Sequence, residues 1–392
     1  MEKPSTASWA GGIALRLALF YAALSSAFGV IVPFWPTWLA ARGLDAAQIG
    51  LLLSLGYWIK LAGNPVLAVL ADRHGDVRRI LIVLAIVNLA FYALFAVTGS
   101  FWPILLVTVL VNLGLSAMTP LGDSLAMRIT MNYGLHYGRV RLWGSFAYVL
   151  AGLGAGVMLA GRPAAIVLIL VMAGLVACLL SCIALPNIPL HSARRATAGW
   201  PELLRDRRFL LFVMAAGLVQ SSHAVLYGFG TLYWLRAGYG KDVIGMLWAI
   251  GTSAEIFLFM AGSAIIRRLG AARLLALGAG AGAIRWTLAG LTTSLPLLVG
   301  IQLLHALSFG ASHLAAMYFL TRSVPAGLAA TAQGVYGAVA LGAMFGLTML
   351  AAGALYDAVV GGAFFVMAGM CLVALFTAMC LRVAERSRGK QR

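Results

Sequence analysis

The chain has 392 residues, of which 62% are hydrophobic and only 10% are charged, and its formal net charge at pH 7 is +17. An average soluble domain contains a smaller apolar share and a much larger charged share. The composition therefore excludes an ordinary soluble domain and predicts an integral membrane protein.

Apolar runs follow one another along almost the whole chain. Each is long enough to cross a bilayer core of about 30 Å, which needs roughly 20 helical residues. None shows the alternation of polar and apolar residues found in membrane β-barrels. We therefore predict an all-α polytopic membrane protein with about twelve transmembrane helices in two pseudo-symmetric six-helix bundles. The runs cover residues 14–40, 47–71, 80–98, 102–127, 142–161, 163–185, 208–235, 243–266, 273–293, 295–320, 330–354 and 359–381.

A polar stretch with three prolines separates the sixth run from the seventh. A segment of about twenty residues with this composition is typical of a linker. The predicted divisions of the chain are an N-terminal six-helix bundle (1–185), a cytoplasmic linker (186–207), a C-terminal six-helix bundle (208–382) and a basic cytoplasmic tail (383–392).

The two halves also repeat a local pattern. Trp38-Leu39 and the segment 42–50 are echoed by Trp234-Leu235 and the segment 237–245, with a slip of one residue. The following spans carry Lys60 in the first copy and Glu255 at the matching position of the second. Related halves with ionisable groups at matching depth indicate a transporter, because such proteins bind substrate where their repeats meet.

The basic residues lie almost entirely at alternate loops, on the side that would hold both termini. Only Arg42, Arg162, Arg236 and Lys241 lie in the opposite loops. By the positive-inside rule we expect both termini in the cytoplasm. We also expect the membrane to be a bacterial inner membrane. This placement explains the net charge without nucleic-acid binding.

The four cysteines fall inside predicted spans and lack zinc-ligand spacing. We interpret them as helix-packing residues and predict no metal site and no cofactor. They are Cys178, Cys182, Cys371 and Cys380.

A short turn between the second and third runs reads Ala71-Asp72-Arg73-His74-Gly75-Asp76-Val77-Arg78-Arg79. It resembles the signature loop of the major facilitator superfamily, except that Ala68 replaces the glycine that usually precedes the acid by four residues. The resemblance implies that Asp72, with Arg73 beside it, caps or pairs with a neighbouring helix end and gates the transporter. The alternative is an ordinary solvated turn.

The loop into the fifth run, Tyr137-Gly138-Arg139-Val140-Arg141-Leu142-Trp143-Gly144-Ser145, adds a more specific resemblance. With Ala254-Glu255, Arg285-Trp286, Leu304-His305 and Ser308-Phe309-Gly310, it is similar to the phenylpropionate permease family within that superfamily. The resemblance covers most of the chain. It implies a proton symporter for aromatic carboxylates, driven by the proton gradient, and not an enzyme.

Ionisable residues near the middle of the spans are the candidate site, because such groups are costly in lipid and usually face a polar cavity or a partner. A substrate carboxylate would find a cation in Lys60 or Arg285. An aromatic ring would find side chains that can stack on it, and His305 is a further contact for substrate or proton. The ring candidates are Tyr57, Trp58, Tyr227 and Trp286.

Glu255 is the candidate proton carrier, because burial favours the neutral form of a carboxyl group. The alternative is a structural Glu–Arg pair that locks two helices. Asp123 lies near the cytoplasmic end of the fourth span. We predict that it forms an ion-pair latch with Arg128, Arg139 or Arg141.

Three other functions remain alternatives. Another proton-coupled importer, for a sugar or nucleoside, fits the same fold. An exporter fits less well, because residues 142–161 contain no proline for the glycine-proline motif common in exporters. A membrane enzyme has no support, because no nucleophile elbow, metal-binding helix or P-loop sequence is present. We expect a monomer that binds a small molecule, protons and lipid.

Overall fold

The computed structural model describes residues 6–74, 76–186, 200–325 and 328–389. All regular secondary structure in these ranges is helical, as the sequence predicted. The α-helices are α1 (Thr6–Ala41), α2 (Ala46–His74), α3 (Val77–Leu94), α4 (Phe101–Asn132), α5 (Tyr137–Leu159), α6 (Ala165–Ala184), α7 (Trp200–Arg205), α8 (Arg207–Ser221), α9 (Thr231–Arg236), α10 (Lys241–Leu269), α11 (Ala271–Leu291), α12 (Leu295–Leu303), α13 (Ser312–Arg322), α14 (Ala329–Tyr336), α15 (Phe345–Val359) and α16 (Ala363–Gly389).

Ten helical stretches in the described part of the chain are long and apolar enough to cross a membrane. The last of them, Thr331–Arg386, has 56 residues. A straight helix of that length would measure about 84 Å, far more than a bilayer core. It is broken where Val360 adopts a positive φ of 48° and a 3₁₀ turn spans Val360–Gly362, so it supplies two passes. With α2, these stretches account for the twelve predicted helices and confirm the polytopic all-α class.

The chain folds into two compact units, each built from several segments. The first comprises Met1–Leu44, Ile59–Ala193 and Gly240–Met246, and the second comprises Asp45–Trp58, Arg194–Tyr239 and Leu247–Arg392. The division by sequence into bundles and a linker stays a prediction, because residues 187–199 of the predicted linker lie outside the described residues.

In the first unit, α1 packs against both α5 and α6 through small residues. A Cβ atom on Gly29 would lie 2.5 Å from the carbonyl oxygen of Tyr148 on α5. A Cβ atom on Gly174 of α6 would lie 3.1 Å from the Cα atom of Ala27. These glycines let the helix backbones approach closely, as small residues do in membrane proteins.

In the second unit, several helices contain π-helical turns instead of a continuous α-helical ladder. The described π segments are Leu226–Gly230, Ala306–Ala311 and Gly337–Met344. His223 and His305 each lie just before one of the first two. Such turns are often found at functional sites, because they displace side chains from regular helical positions.

An aspartate begins α8 in the same unit. The Asp206 carboxylate accepts a hydrogen bond from the Arg208 backbone N–H at 2.9 Å and lies 2.7 Å from the Arg208 Nη2 atom. Partial burial pushes the pKa of Asp206 upward, but the hydrogen bonds and charge of Arg208 outweigh it and hold that pKa below its ordinary value. The cap thus satisfies a backbone donor that the helix itself leaves unpaired.

We predict that Gly29→Leu lowers the thermal stability of the purified protein, because the added side chain must displace the α5 backbone. Overpacking of this kind costs about 1–3 kcal/mol. Gly154→Leu is the matched control on α5, because a Cβ atom there would meet nothing within 4 Å. Tryptophan fluorescence during heating measures both variants. Equal melting temperatures for the two would contradict the proposed packing.

Candidate functional site

A buried arginine lies at the centre of a polar cluster in the second unit. Arg285 on α11 has no exposed surface. Its Nε atom donates to the Ile301 carbonyl oxygen at 3.0 Å, and its Nη2 atom donates to Gln302 Oε1 at 2.9 Å. Its Nη1 atom lies 3.0 Å from both His305 Nδ1 and Ser308 Oγ. The guanidinium is therefore held by uncharged groups of the α12–α13 region.

The contact with Arg285 fixes the tautomer of His305. An arginine can only donate hydrogen bonds, so His305 Nδ1 must be the acceptor. The ring proton of the neutral imidazole therefore lies on Nε2, which is 3.5 Å from Glu255 Oε2. His305 thus stands between the carboxyl group of α10 and the guanidinium of α11. Glu255 and Arg285 therefore both contact this imidazole, at different ring nitrogens, and the proton-carrier role of Glu255 stays a prediction.

His223 continues the network on the other side of Ser308. Its Nδ1 atom lies 3.0 Å from the Val219 carbonyl oxygen and 3.3 Å from that of Gln220, so Nδ1 carries the proton. Its Nε2 atom, 3.3 Å from Ser308 Oγ, is then the acceptor. Hydrogen bonds therefore run in one direction, from Arg285 through Ser308 to His223.

Small residues allow α10 to reach this cluster. A Cβ atom on Gly310 would lie 3.2 Å from the Cγ atom of Glu255, and one on Gly251 would lie 3.5 Å from the Cβ atom of His305. Gln302 links α12 to α10, because its Nε2 atom donates a hydrogen bond to the Leu247 carbonyl oxygen at 3.0 Å. The glycines thus bring Glu255 within reach of His305.

Aromatic rings extend from the cluster within the second unit. Tyr57 stacks on Phe345 with ring centres 4.3 Å apart, and Phe345 lies 6.1 Å from Tyr227. Tyr227 in turn lies 5.8 Å from His223 and from Trp248. The structure thus gathers Tyr57 and Tyr227, two predicted ring contacts, around Phe345. Nothing in the sequence pattern distinguished Phe345 from an ordinary packing residue.

The other predicted substrate contacts are Trp286, Arg285 and Lys60. Trp286 has no exposed surface, donates to Ser222 Oγ at 2.9 Å and stacks on Phe364. Its ring and the Arg285 guanidinium are thus both enclosed by protein in this conformation. Lys60 is exposed on the part of α2 that belongs to the first unit. Substrate contact by Lys60, Arg285 and Trp286 stays a prediction.

The predicted latch in the first unit is centred on Asp123 of α4. Its Oδ1 atom accepts hydrogen bonds from the hydroxyl groups of Tyr21 at 2.6 Å and Tyr137 at 2.9 Å. Arg141 Nε lies 3.9 Å from the same oxygen, and its guanidinium lies 5.0 Å from the centre of the Tyr21 ring. The structure therefore joins Asp123 with Arg141 and adds two tyrosines that sequence reasoning missed.

The remaining gating candidates have different surroundings. Arg139 is exposed, and Arg128 is half-buried. The side chains of Asp72 and Arg73 lie outside the described residues, so the predicted gate stays a prediction. In the described part of this turn, Asp76 caps the N-terminus of α3. Its Oδ1 atom accepts a hydrogen bond from the Arg79 backbone N–H at 3.0 Å.

Comparisons with known proteins agree on the family. The chain matches the family model "MFS_1 like family" over residues 14–367. It is 35% identical over 366 residues to the "Probable 3-phenylpropionic acid transporter" of Escherichia coli K12, covering 92% of this chain and 96% of the relative. It is 26% identical over 380 residues to the "Maltose permease" of Geobacillus stearothermophilus, covering 95% of this chain and 96% of that protein.

A solved structure shares the fold. The crystal structure of the nucleoside transporter NupG superposes with a TM-score of 0.80 at 16% identity, covering 94% of this chain and 98% of that one. At that identity the likeness concerns the fold alone. The chain belongs to the MFS_1-like family and is an integral membrane transporter of the major facilitator type.

Proposed function

We propose that this transporter imports a small aromatic carboxylate, similar to 3-phenylpropionate, together with protons by alternating access. The observation that carries the proposal is the chain of contacts from Glu255 through His305 to Arg285 inside a membrane-spanning unit. The 35% identity to the probable 3-phenylpropionic acid transporter of Escherichia coli supports the substrate class.

The charges of this cluster couple an anion to a proton. Arg285 contributes one positive charge, ionised Glu255 contributes one negative charge, and the two histidines are neutral in the tautomers derived above. The sum is then zero. Protonation of Glu255 leaves one positive charge, and a substrate carboxylate restores zero. Because uncompensated charge in a membrane interior is costly, proton and carboxylate are most stable when bound together.

The aromatic rings around Phe345 suit the rest of such a substrate. Tyr57 and Tyr227 both pack near the Phe345 ring, and Tyr227 also lies beside His223. Aromatic pairs gain about 0.5–1.5 kcal/mol beyond the burial of their area. These residues would bind the ring of the substrate, and the cation of the cluster would attract its carboxylate.

The proposed setting is a bacterial inner membrane with both termini in the cytoplasm. The distribution of basic residues along the sequence supports this orientation. An inward proton gradient would then drive accumulation, and the working unit is a monomer. Asp123 with Arg141 would act as the latch of the first unit, with Asp72 and Arg73 at the gate.

A neutral sugar or nucleoside is the second candidate substrate, and the similarity to the maltose permease favours the sugar. A neutral molecule would leave the protonated cluster with its positive charge. The charge balance therefore favours an acid, and direct uptake measurements decide between the two.

In proteoliposomes with an inward proton gradient, we expect accumulation of labelled 3-phenylpropionate that an uncoupler abolishes. Unlabelled 3-phenylpropionate should compete, and maltose and uridine should not. Liposomes without protein are the control. Accumulation of labelled maltose or uridine, with no uptake of the acid, would replace the acid with a neutral substrate.

Glu255→Gln should abolish proton-driven accumulation while retaining exchange of substrate, because glutamine imitates the protonated side chain. Substrate binding to the wild-type protein should weaken as pH rises, and binding to the variant should not depend on pH. Exchange and uphill uptake measured on the same liposomes test both points. Glu202→Gln, at an exposed position on α7, is the matched control. Unchanged accumulation would remove Glu255 from the coupling role.

Gln302→Glu should weaken binding of the acid at least tenfold, because it places a carboxylate where Oε1 now lies 2.9 Å from Arg285. That carboxylate would neutralise the cluster without a proton. Gln302→Met keeps the side chain neutral and of similar size, so it separates charge from lost hydrogen bonds. Binding can be measured by calorimetry on the purified variants. An equal loss in the two variants would contradict the charge argument.

A further inference from the structure

A groove lies between α1 and α5 of the first unit. Its volume is about 300 Å³. Three alanines and two leucines, Leu15 and Leu19, line it from α1, and Arg139, Val140 and Trp143 line it from α5. It is thus an apolar channel with a single charged residue on its wall.

The groove opens toward the hydrocarbon of the membrane. Leu15 is 60% exposed, Leu19 is 50% exposed and Trp143 is 59% exposed. They lie near the start of spans that begin at Gly11 and Tyr137. The groove therefore runs inward from the headgroup level, where tryptophans are enriched. An apolar surface in this position contacts the acyl chains of lipids.

The charge at this groove is Arg139, which differs sharply from Arg141 two positions later. Arg141 lies 3.9 Å from Asp123 and 5.0 Å from the centre of the Tyr21 ring, although its side chain is 39% exposed. Arg139 is exposed, and no carboxylate among the described residues lies within 4 Å of its side-chain nitrogens. A guanidinium at the headgroup level binds phosphate oxygens through parallel hydrogen bonds.

We propose that this groove binds an anionic phospholipid, with one acyl chain between α1 and α5 and the phosphate at Arg139. The bound lipid would brace α1 against α5 beside Tyr21 and Tyr137, which hold Asp123. Arg139 is then a lipid-binding residue rather than part of the predicted latch. The site does not depend on the identity of the transported substrate.

The first test is thermal stabilisation of the purified full-length protein in detergent by added phosphatidylglycerol or phosphatidylcholine with identical acyl chains. We expect phosphatidylglycerol to raise the melting temperature at a lower concentration than phosphatidylcholine. Arg139→Gln should remove this difference, and the control Arg79→Gln, at an 82% exposed side chain on α3, should keep it. The melting temperatures without lipid show whether each variant is folded.

A second readout locates the lipid. Phosphatidylglycerol with brominated acyl chains quenches tryptophan fluorescence on contact. The quenching of the wild-type protein minus the quenching of Trp143→Phe is therefore the quenching of Trp143, which lines the groove. We expect brominated phosphatidylglycerol to quench Trp143 more than brominated phosphatidylcholine does. This difference should fall in Arg139→Gln. Trp102 on α4 is the control, because it is 74% exposed. Its quenching, obtained by the same subtraction with Trp102→Phe, should be equal for the two lipids. Equal quenching of Trp143 by both lipids, or an unchanged preference in Arg139→Gln, would overturn the proposal.

Discussion

The positive charge of Arg285, fully buried in a membrane-spanning unit, is the constraint on which the functional cluster depends. A buried charge is tolerated only when its hydrogen-bonding capacity is met. Gln302, His305 and Ser308 meet it with uncharged acceptors. The arginine thereby fixes the orientation of each acceptor. Through His305, it directs a ring N–H toward Glu255, so the protonation state of one carboxyl group controls the net charge of the whole group.

Irregular helices make this arrangement possible. His223 and His305 each precede a π-helical segment, where the backbone departs from the regular ladder. Glycines on the facing helices remove the side chains that would keep polar groups apart. Polar backbone and side chains at membrane depth are tolerated when they are satisfied within the protein. In this unit, local departures from ideal helices and the polar network therefore depend on one another.

The first unit separates two arginines that are neighbours in sequence. Residues two apart on a helix differ by about 200° in direction. Arg141 consequently packs toward Asp123 and Tyr21, and Arg139 points to the membrane-facing groove. Arg141 therefore contacts Asp123, and Arg139 lines the groove in which we propose a lipid. Two arginines on the first turns of one helix can thus have different surroundings.

The sequence by itself determined the membrane class, the twelve apolar segments and the ionisable residues within them, because burial in lipid restricts composition so strongly. It also identified Glu255, Arg285 and His305 as unusual residues for their depth. The tertiary structure decided which of them touch. It introduced Gln302, Ser308 and Phe345, since neutral polar and aromatic residues are common in membrane helices and give no distinct signal. Helical periodicity indicates which residues share a face, but the partner across that face depends on packing between segments distant in sequence, as for Tyr57 and Phe345.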